Sequence, residues 1–220
     1  MELLTLCLLG GALAVEGTSF GQFMASRPLV AATVTGWVLG DPASGLILGA
    51  VLELLHLSVV PVGGARFPEV GPAAVVATAT AAAGGWQGAG IALGCLMALA
   101  WGQLGGWSIV VLRRVNGRVA PDPFQGPVAP AMAEWSHVTA MGMDLVRGTV
   151  LTGMGILVGV GVVAPAAQSW PLGVDATVGL LLVAAALPAG VLLRTLGGAR
   201  RRGFLFAVGA AAGLAGGLLL

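Results

Sequence analysis

The 220-residue chain contains no lysine, two cysteines and 9% charged residues, all ten of its cations being arginine. A soluble domain carries about 25% charge, and a surface facing water needs more ionic groups than this chain can supply. That excludes a soluble globular enzyme. The apolar content of 57% excludes a disordered chain. The 37 glycines follow no triplet, which excludes collagen. A net charge of +1 offers no basic stripe for nucleic acid. Cys7 and Cys95 sit singly in apolar stretches and form no metal-ligand spacing. What is present in quantity is hydrocarbon, with a mean hydropathy of +0.98. The class that fits is a polytopic, all-α helical membrane protein, multi-pass in the inner (plasma) membrane.

Uncharged runs divide the chain. The run 3–15 reads as a first membrane segment, extending to about Phe23, rather than a cleaved leader, because Glu2 stands where a basic region would be. The run 70–112 is long enough for two crossings with a break at Gly84-Gly85. The runs 148–174, 176–193 and 203–220 supply later spans, the first with a turn at 165–171. Arg113, Arg114 and Arg118, followed by four prolines up to Pro130, read as a loop. A helix is expected from Ala131, and a second arginine loop over 194–202. Arginine-rich connections stay in the cytoplasm, which puts the connection around 168–173 outside.

The first third differs. Gly36–Gly40 and Gly45–Gly49 are both GxxxG spacings flanking Asp41-Pro42. Small residues at that interval let helices approach closely, and Asp-Pro starts turns. The pattern describes a tight helical hairpin of half-spans, with re-entrant or discontinuous helices as in transporters; the plainer reading is two ordinary helices with a glycine interface.

Ionisable groups in apolar surroundings are costly and mark candidate sites. Glu53 and His56 fall three apart on one helical face, placed to bond each other or a polar solute, or else to be solvated at a helix end. Glu16, Thr18, Ser19 and Gln22 form a polar island of groups that bond sugar hydroxyls, or an interfacial loop. Arg27 either pairs with an acid of the site or marks the cytoplasmic side. The irregular stretch 61–69, with Arg66 and Glu69, lines a cavity if it lies at membrane depth and is a simple loop if not. Asp144 and Arg147 read as an ion pair on an interfacial helix, with His137 on the same face. No catalytic residue, metal site or cofactor is expected: the chain has no H-E-x-x-H, P-loop, Rossmann fingerprint or G-x-S-x-G.

The succession Arg27-Pro28-Leu29-Val30-Ala31, Gly40-Asp41, Gly45 to Gly49 and Leu52-Glu53-Leu54, then Pro68-Glu69 and Trp135-Ser136-His137-Val138, resembles the membrane-embedded IIC subunit of the mannose/fructose/sorbose-type bacterial sugar phosphotransferase system. The order and spacing carry the resemblance, most specifically from Arg27 to Glu69. The resemblance implies a single IIC membrane domain over 1–220, with the hairpin and sugar site in 1–72 and spanning helices in 73–220. It implies a non-catalytic permease subunit that binds a hexose-like sugar and moves it by an elevator-like shift. A IID membrane partner, cytoplasmic IIA and IIB proteins, phosphoryl transfer on IIB and a trimer of IIC–IID pairs are also implied. The resemblance points first to Glu53 and Glu69, then Gln22, Arg27 and Asp41; His56 and His137 carry no phosphoryl group. Gly21-Gln22 stands where some members carry adjacent acids. The alternatives are a scaffold or sensor that keeps the fold without transporting, and an unrelated channel.

Overall fold

The computed structural model describes residues 2–57, 59, 64–122, 126, 129–195 and seven positions beyond (197, 203, 204, 207–209 and 211). Among these residues the chain is helical and has no strands. The elements are α1 (Glu2–Thr18), α2 (Pro28–Val38), α3 (Pro42–Leu55), α4 (Val70–Ala83), α5 (Gly88–Val119), α6 (Pro130–Val158) and α7 (Val174–Thr195). Beyond Val158 the sixth helix continues as a π turn (Gly159–Val163) and a 3-10 turn (Ala164–Ser169). Helices α5, α6 with its extension, and α7 are long and apolar enough to cross a bilayer. Helices α2, α3 and α4, at 11, 14 and 14 residues, reach only about 16–21 Å at 1.5 Å per residue, short of the hydrocarbon's roughly 30 Å.

Backbone contact through glycine sets the packing. A methyl group on Gly45 of α3 would stand 2.5 Å from the Ala32 carbonyl and 3.0 Å from Gly36 Cα. This is the hairpin expected from the paired GxxxG spacings. Its turn is made by Gly40, in the left-handed region at φ +85°, and by Asp41, whose carboxylate accepts the Ser44 N–H at 3.0 Å as the cap of α3. The α4–α5 pair is equally close: methyls on Gly90 and Gly94 would meet the carbonyls of Ala81 and Ala77 at 2.8 and 2.7 Å. Helix α1 lies antiparallel to α6, Gly10 against Thr152, Gly11 against Thr149 and Ala14 against Gly148. Lipid provides no hydrophobic drive between helices, so such close approach is what holds them.

Helix α4 is the core, with its residues from Gly71 to Ala81 all buried. Thr78 and Thr80 satisfy their hydroxyls on the carbonyls of Ala74 and Val76. Around it the lipid-facing surface carries large apolar side chains such as Leu4, Trp107, Val146, Leu157 and Leu182.

Several expectations change. Helix α1 stops at Thr18 instead of near Phe23, because Gly21, Gln22 and Met24 turn the chain through positive φ. Arg113, Arg114 and Arg118 belong to α5, not to a loop: arginine is a good helix former and no proline intervenes before Pro121. Arg194 likewise falls within α7. Residues 200–202, most of the expected span 203–220, and 60–63 lie outside the described residues.

Gly45→Ala is expected to cost about 1–3 kcal/mol by overpacking. Gly142→Ala, on an exposed face of α6 with nothing within 4 Å, is expected to leave the melting temperature unchanged or slightly higher. Thermal unfolding of the detergent-solubilised protein compares them.

Candidate functional site

Between Gly64 and Glu69 the backbone is not helical, and it lies against the glycine face of α5. The Glu69 N–H donates to the Gly102 carbonyl at 2.9 Å. Methyls on Gly105 and Gly106 would fall 2.6 Å from Glu69 Oε2 and 2.1 Å from the Phe67 carbonyl. Gly105 is about 25 Å along α5 from Gly88, so Glu69 is buried near the middle of that helix, while Gly64, Ala65 and Arg66 are exposed. Backbone of that kind is tolerated at such depth only inside protein or around a cavity.

Glu69 is 5% exposed, and Arg147 of α6 grips it with both arms of its guanidinium. Nη1 donates to Oε2 at 2.8 Å and Nη2 to Oε1 at 2.5 Å. Nε and Nη2 also donate to Asp144 Oδ1, at 3.0 and 2.8 Å, and Nη1 to Ser108 Oγ at 2.7 Å. Asp144 is fully buried; the Ser19 hydroxyl donates to its Oδ2, and the single Thr18 hydroxyl hydrogen is shared between Oδ2 and the Ala14 carbonyl at 2.9 Å. The pairing expected within α6 is present, but the pair is buried in the bundle rather than interfacial, because its partners come from α1, α5 and the irregular segment. His137 is exposed and takes no part.

Glu16 accepts the N–H groups of Ala25 and Ser26, at 3.3 and 2.8 Å, and so fixes the link from α1 to the hairpin. In that link Gln22 and Met24 adopt φ of +52° and +66°. Arg27 pairs with Glu53 across the base of the hairpin, and Glu53 Oε2 also accepts the Leu29 N–H at 3.4 Å. Arg27 therefore has an acid as its partner, whichever side of the membrane it marks. Glu53 and His56 do not bond each other: the buried His56 ring places Nδ1 2.9 Å from the Leu52 carbonyl, while Glu53 is drawn to the cation.

Two adjoining cavities open here. The inner, of about 90 Å³, is lined by Thr18, Ser26, Arg27, His56 and Glu69 among apolar walls that include Leu13, Pro28 and Pro72. The outer, of about 530 Å³, is a vestibule lined by Glu16, Gln22, Met24 and Arg113, and it shares Gly17, Thr18, Ser26, Arg27 and Phe67 with the inner one. Arg113 is seated over the Phe67 ring, 5.7 Å from its centroid, and donates to the Ala65 carbonyl at 3.1 Å. Of the seven residues singled out from sequence, Glu16, Gln22, Arg27, His56 and Glu69 line these cavities. Glu53 stands behind Arg27, and Asp41 caps α3 at the hairpin tip. Sequence reading missed that Arg147, Asp144 and Ser108 gather behind Glu69. The one available signal was that two charges of opposite sign interrupt an apolar helix.

Fold and site together define an α-helical membrane protein whose polar cleft is built on short, interrupted helices. A family model described as the PTS system sorbose-specific IIC component matches residues 1–209. The mannose-specific EIIC component of Escherichia coli K12 is 32% identical over 60% of this chain and 49% of its own length. The sorbose-specific EIIC component of Klebsiella pneumoniae is 29% identical over 67% and 56%. Among solved structures, one described as a membrane protein is similar with a TM-score of 0.67 at 21% identity, covering 99% of this chain and 91% of that one. The mannose transporter ManYZ in complex with microcin E492 is similar with a TM-score of 0.58 at 22% identity, covering 96% and 84%. The chain belongs to the family of sorbose-type IIC components of the phosphotransferase system and is an integral membrane protein. It spans about half the length of the curated relatives it matches.

The Arg27–Glu53 contact is open to a charge-reversal test. Arg27→Glu and Glu53→Arg should each lower stability by about 1 kcal/mol or less, since Arg27 is 42% exposed. The double reversal should recover most of the loss in thermal unfolding.

Proposed function

We propose that the chain is the sugar-binding membrane subunit of a phosphoenolpyruvate-dependent phosphotransferase system. It binds a neutral hexose-like sugar in the inner cavity and delivers it to the vestibule for phosphorylation by a cytoplasmic IIB protein. The observation that carries this reading is the inner cavity itself. A carboxylate, a guanidinium, two hydroxyls and an imidazole converge there among apolar walls, beside a helix break, which is the composition of a polyol site. All the inner-cavity residues fall between Leu13 and Pro72, in keeping with a single membrane domain over 1–220 whose site is carried by 1–72. The vestibule reaches Arg113, near the arginine-bearing end of α5. The positive-inside rule assigns that end to the cytoplasm, where a phosphoryl donor would meet the sugar. A phosphorylated sugar, once charged, does not recross hydrocarbon.

A IID membrane subunit, cytoplasmic IIA and IIB proteins and an assembly of IIC–IID pairs complete the proposed system. An elevator-like shift of a core domain is the proposed means of exposing the site alternately. Glu53 serves the site by holding Arg27, and Asp41 by holding the tip of the hairpin.

Membrane vesicles carrying the assembled system are expected to take up mannose, fructose or sorbose only when phosphoenolpyruvate and the soluble components are supplied, and to contain the sugar phosphate. Glu53→Gln should lower uptake about tenfold by releasing Arg27. Uptake of an unmodified sugar would sink the mechanism, and uptake indifferent to Glu53→Gln would sink the role given to Glu53. No uptake of any of the three sugars would favour the scaffold reading.

A further inference from the structure

We propose that Arg147 is a positioning residue for the sugar: it touches no ligand itself, but through its fork it fixes Glu69 and, by way of Asp144, Thr18, two of the polar groups that face the inner cavity. The inference rests on the proposed sugar site and adds a residue remote from it in sequence.

A guanidinium has five N–H groups and no acceptor, and five donor contacts are made here: two to Glu69, two to Asp144 and one to Ser108. No donor remains for a ligand, and Arg147 lines neither the inner cavity nor the vestibule. Whatever Arg147 does for a sugar, it does through its partners. Those partners reach both sides of the cavity. Glu69 lines it directly, and Thr18 lines it from the end of α1 while its hydroxyl is tied to Asp144.

The bidentate grip fixes the plane of the Glu69 carboxylate as well as its place. Each carboxylate oxygen has about two acceptor positions, and the guanidinium takes one on each. The remaining acceptor positions are thereby held in a set direction. A sugar hydroxyl donating to Glu69 meets an acceptor that needs no reorganisation on binding, which is how preorganised sites gain affinity. Ser108 reinforces this: its oxygen accepts from Nη1 while its hydroxyl donates to the Gly105 carbonyl at 2.7 Å, tying the guanidinium to the helix face on which Glu69 rests. A lysine at position 147 would keep the positive charge but has three donors on a single nitrogen and no planar fork. Charge alone would therefore leave Glu69 free to rotate.

The test is a double-mutant cycle on sugar affinity, measured with radiolabelled mannose, fructose and sorbose on vesicles carrying the assembled system. Arg147→Lys should weaken binding about tenfold or more. In a Glu69→Gln background the same substitution should cost markedly less, about threefold or less, because only the route through Asp144 and Thr18 then remains. Should Arg147→Lys fail to accumulate in the membrane, Ser108→Ala removes one of the five partners and is expected to weaken binding about threefold in the wild-type background and not in the Glu69→Gln one. Affinity of Arg147→Lys within twofold of wild type would overturn the inference, as would an equal loss in both backgrounds, which would mark a general structural role. A wild-type system that binds none of the three sugars would instead overturn the proposed function, and this inference with it.

Discussion

A polar group inside hydrocarbon has no water to turn to, and each must find its partner in the protein. Arg147 shows how strictly this is met: five N–H groups, five acceptor contacts, with only 12% of the side chain exposed. The consequences run outward from it. The irregular segment before α4 can end at depth because Glu69 anchors it. Helix α1 can end with two hydroxyls inside the bundle because Asp144 accepts both. Helix α6 can carry two charges through an apolar region because they neutralise each other and meet a second carboxylate. Removing Arg147 would leave two buried carboxylates with no counter-charge, at a cost of about 3–5 kcal/mol.

Around that anchor the glycines decide distance. The segment 64–69 can touch α5 only where Gly102, Gly105 and Gly106 leave the helix bare. The hairpin closes only where Gly36 meets Gly45, and α1 reaches Asp144 only because Gly10 and Gly11 let it lie flat on α6. The cavities are then the space left at the meeting of the α1 end, the hairpin base and the start of α4. Each of these is a helix end, and helix ends are where backbone and side-chain polar groups are free to turn toward a ligand.

What the sequence revealed follows from the range of each interaction. The hairpin was legible because its determinants, two GxxxG intervals and Asp41-Pro42, lie within fourteen residues of one another. The break at Gly84-Gly85 was legible for the same reason. The polar character of Glu16, Gln22, Arg27, His56 and Glu69 could be read from their apolar neighbours, and the cavities gather all five. The bond from Arg147 to Glu69 spans 78 residues and has no local signature, so the Asp144–Arg147 pair looked like surface chemistry. The choice of Arg27 over His56 as partner for Glu53 was hidden too, since it depends on the hairpin bringing its two ends together. The arginines of α5 read as a loop because charge suggested water, whereas a long helix simply carries them past the apolar region.

The bare helix faces have a thermodynamic side as well. Ordering a glycine or alanine side chain costs no rotamer entropy, whereas ordering an arginine or methionine costs about 1.5–2 kcal/mol. Contacts such as Gly36 on Gly45, Gly94 on Ala77 and Gly148 on Ala14 bring helices together with almost no side-chain freedom to surrender. In a solvent as apolar as the helices themselves, that saving matters more than it would in water. The loss of side-chain freedom is concentrated in a few long residues, Arg147 foremost, whose immobility is passed on to Glu69.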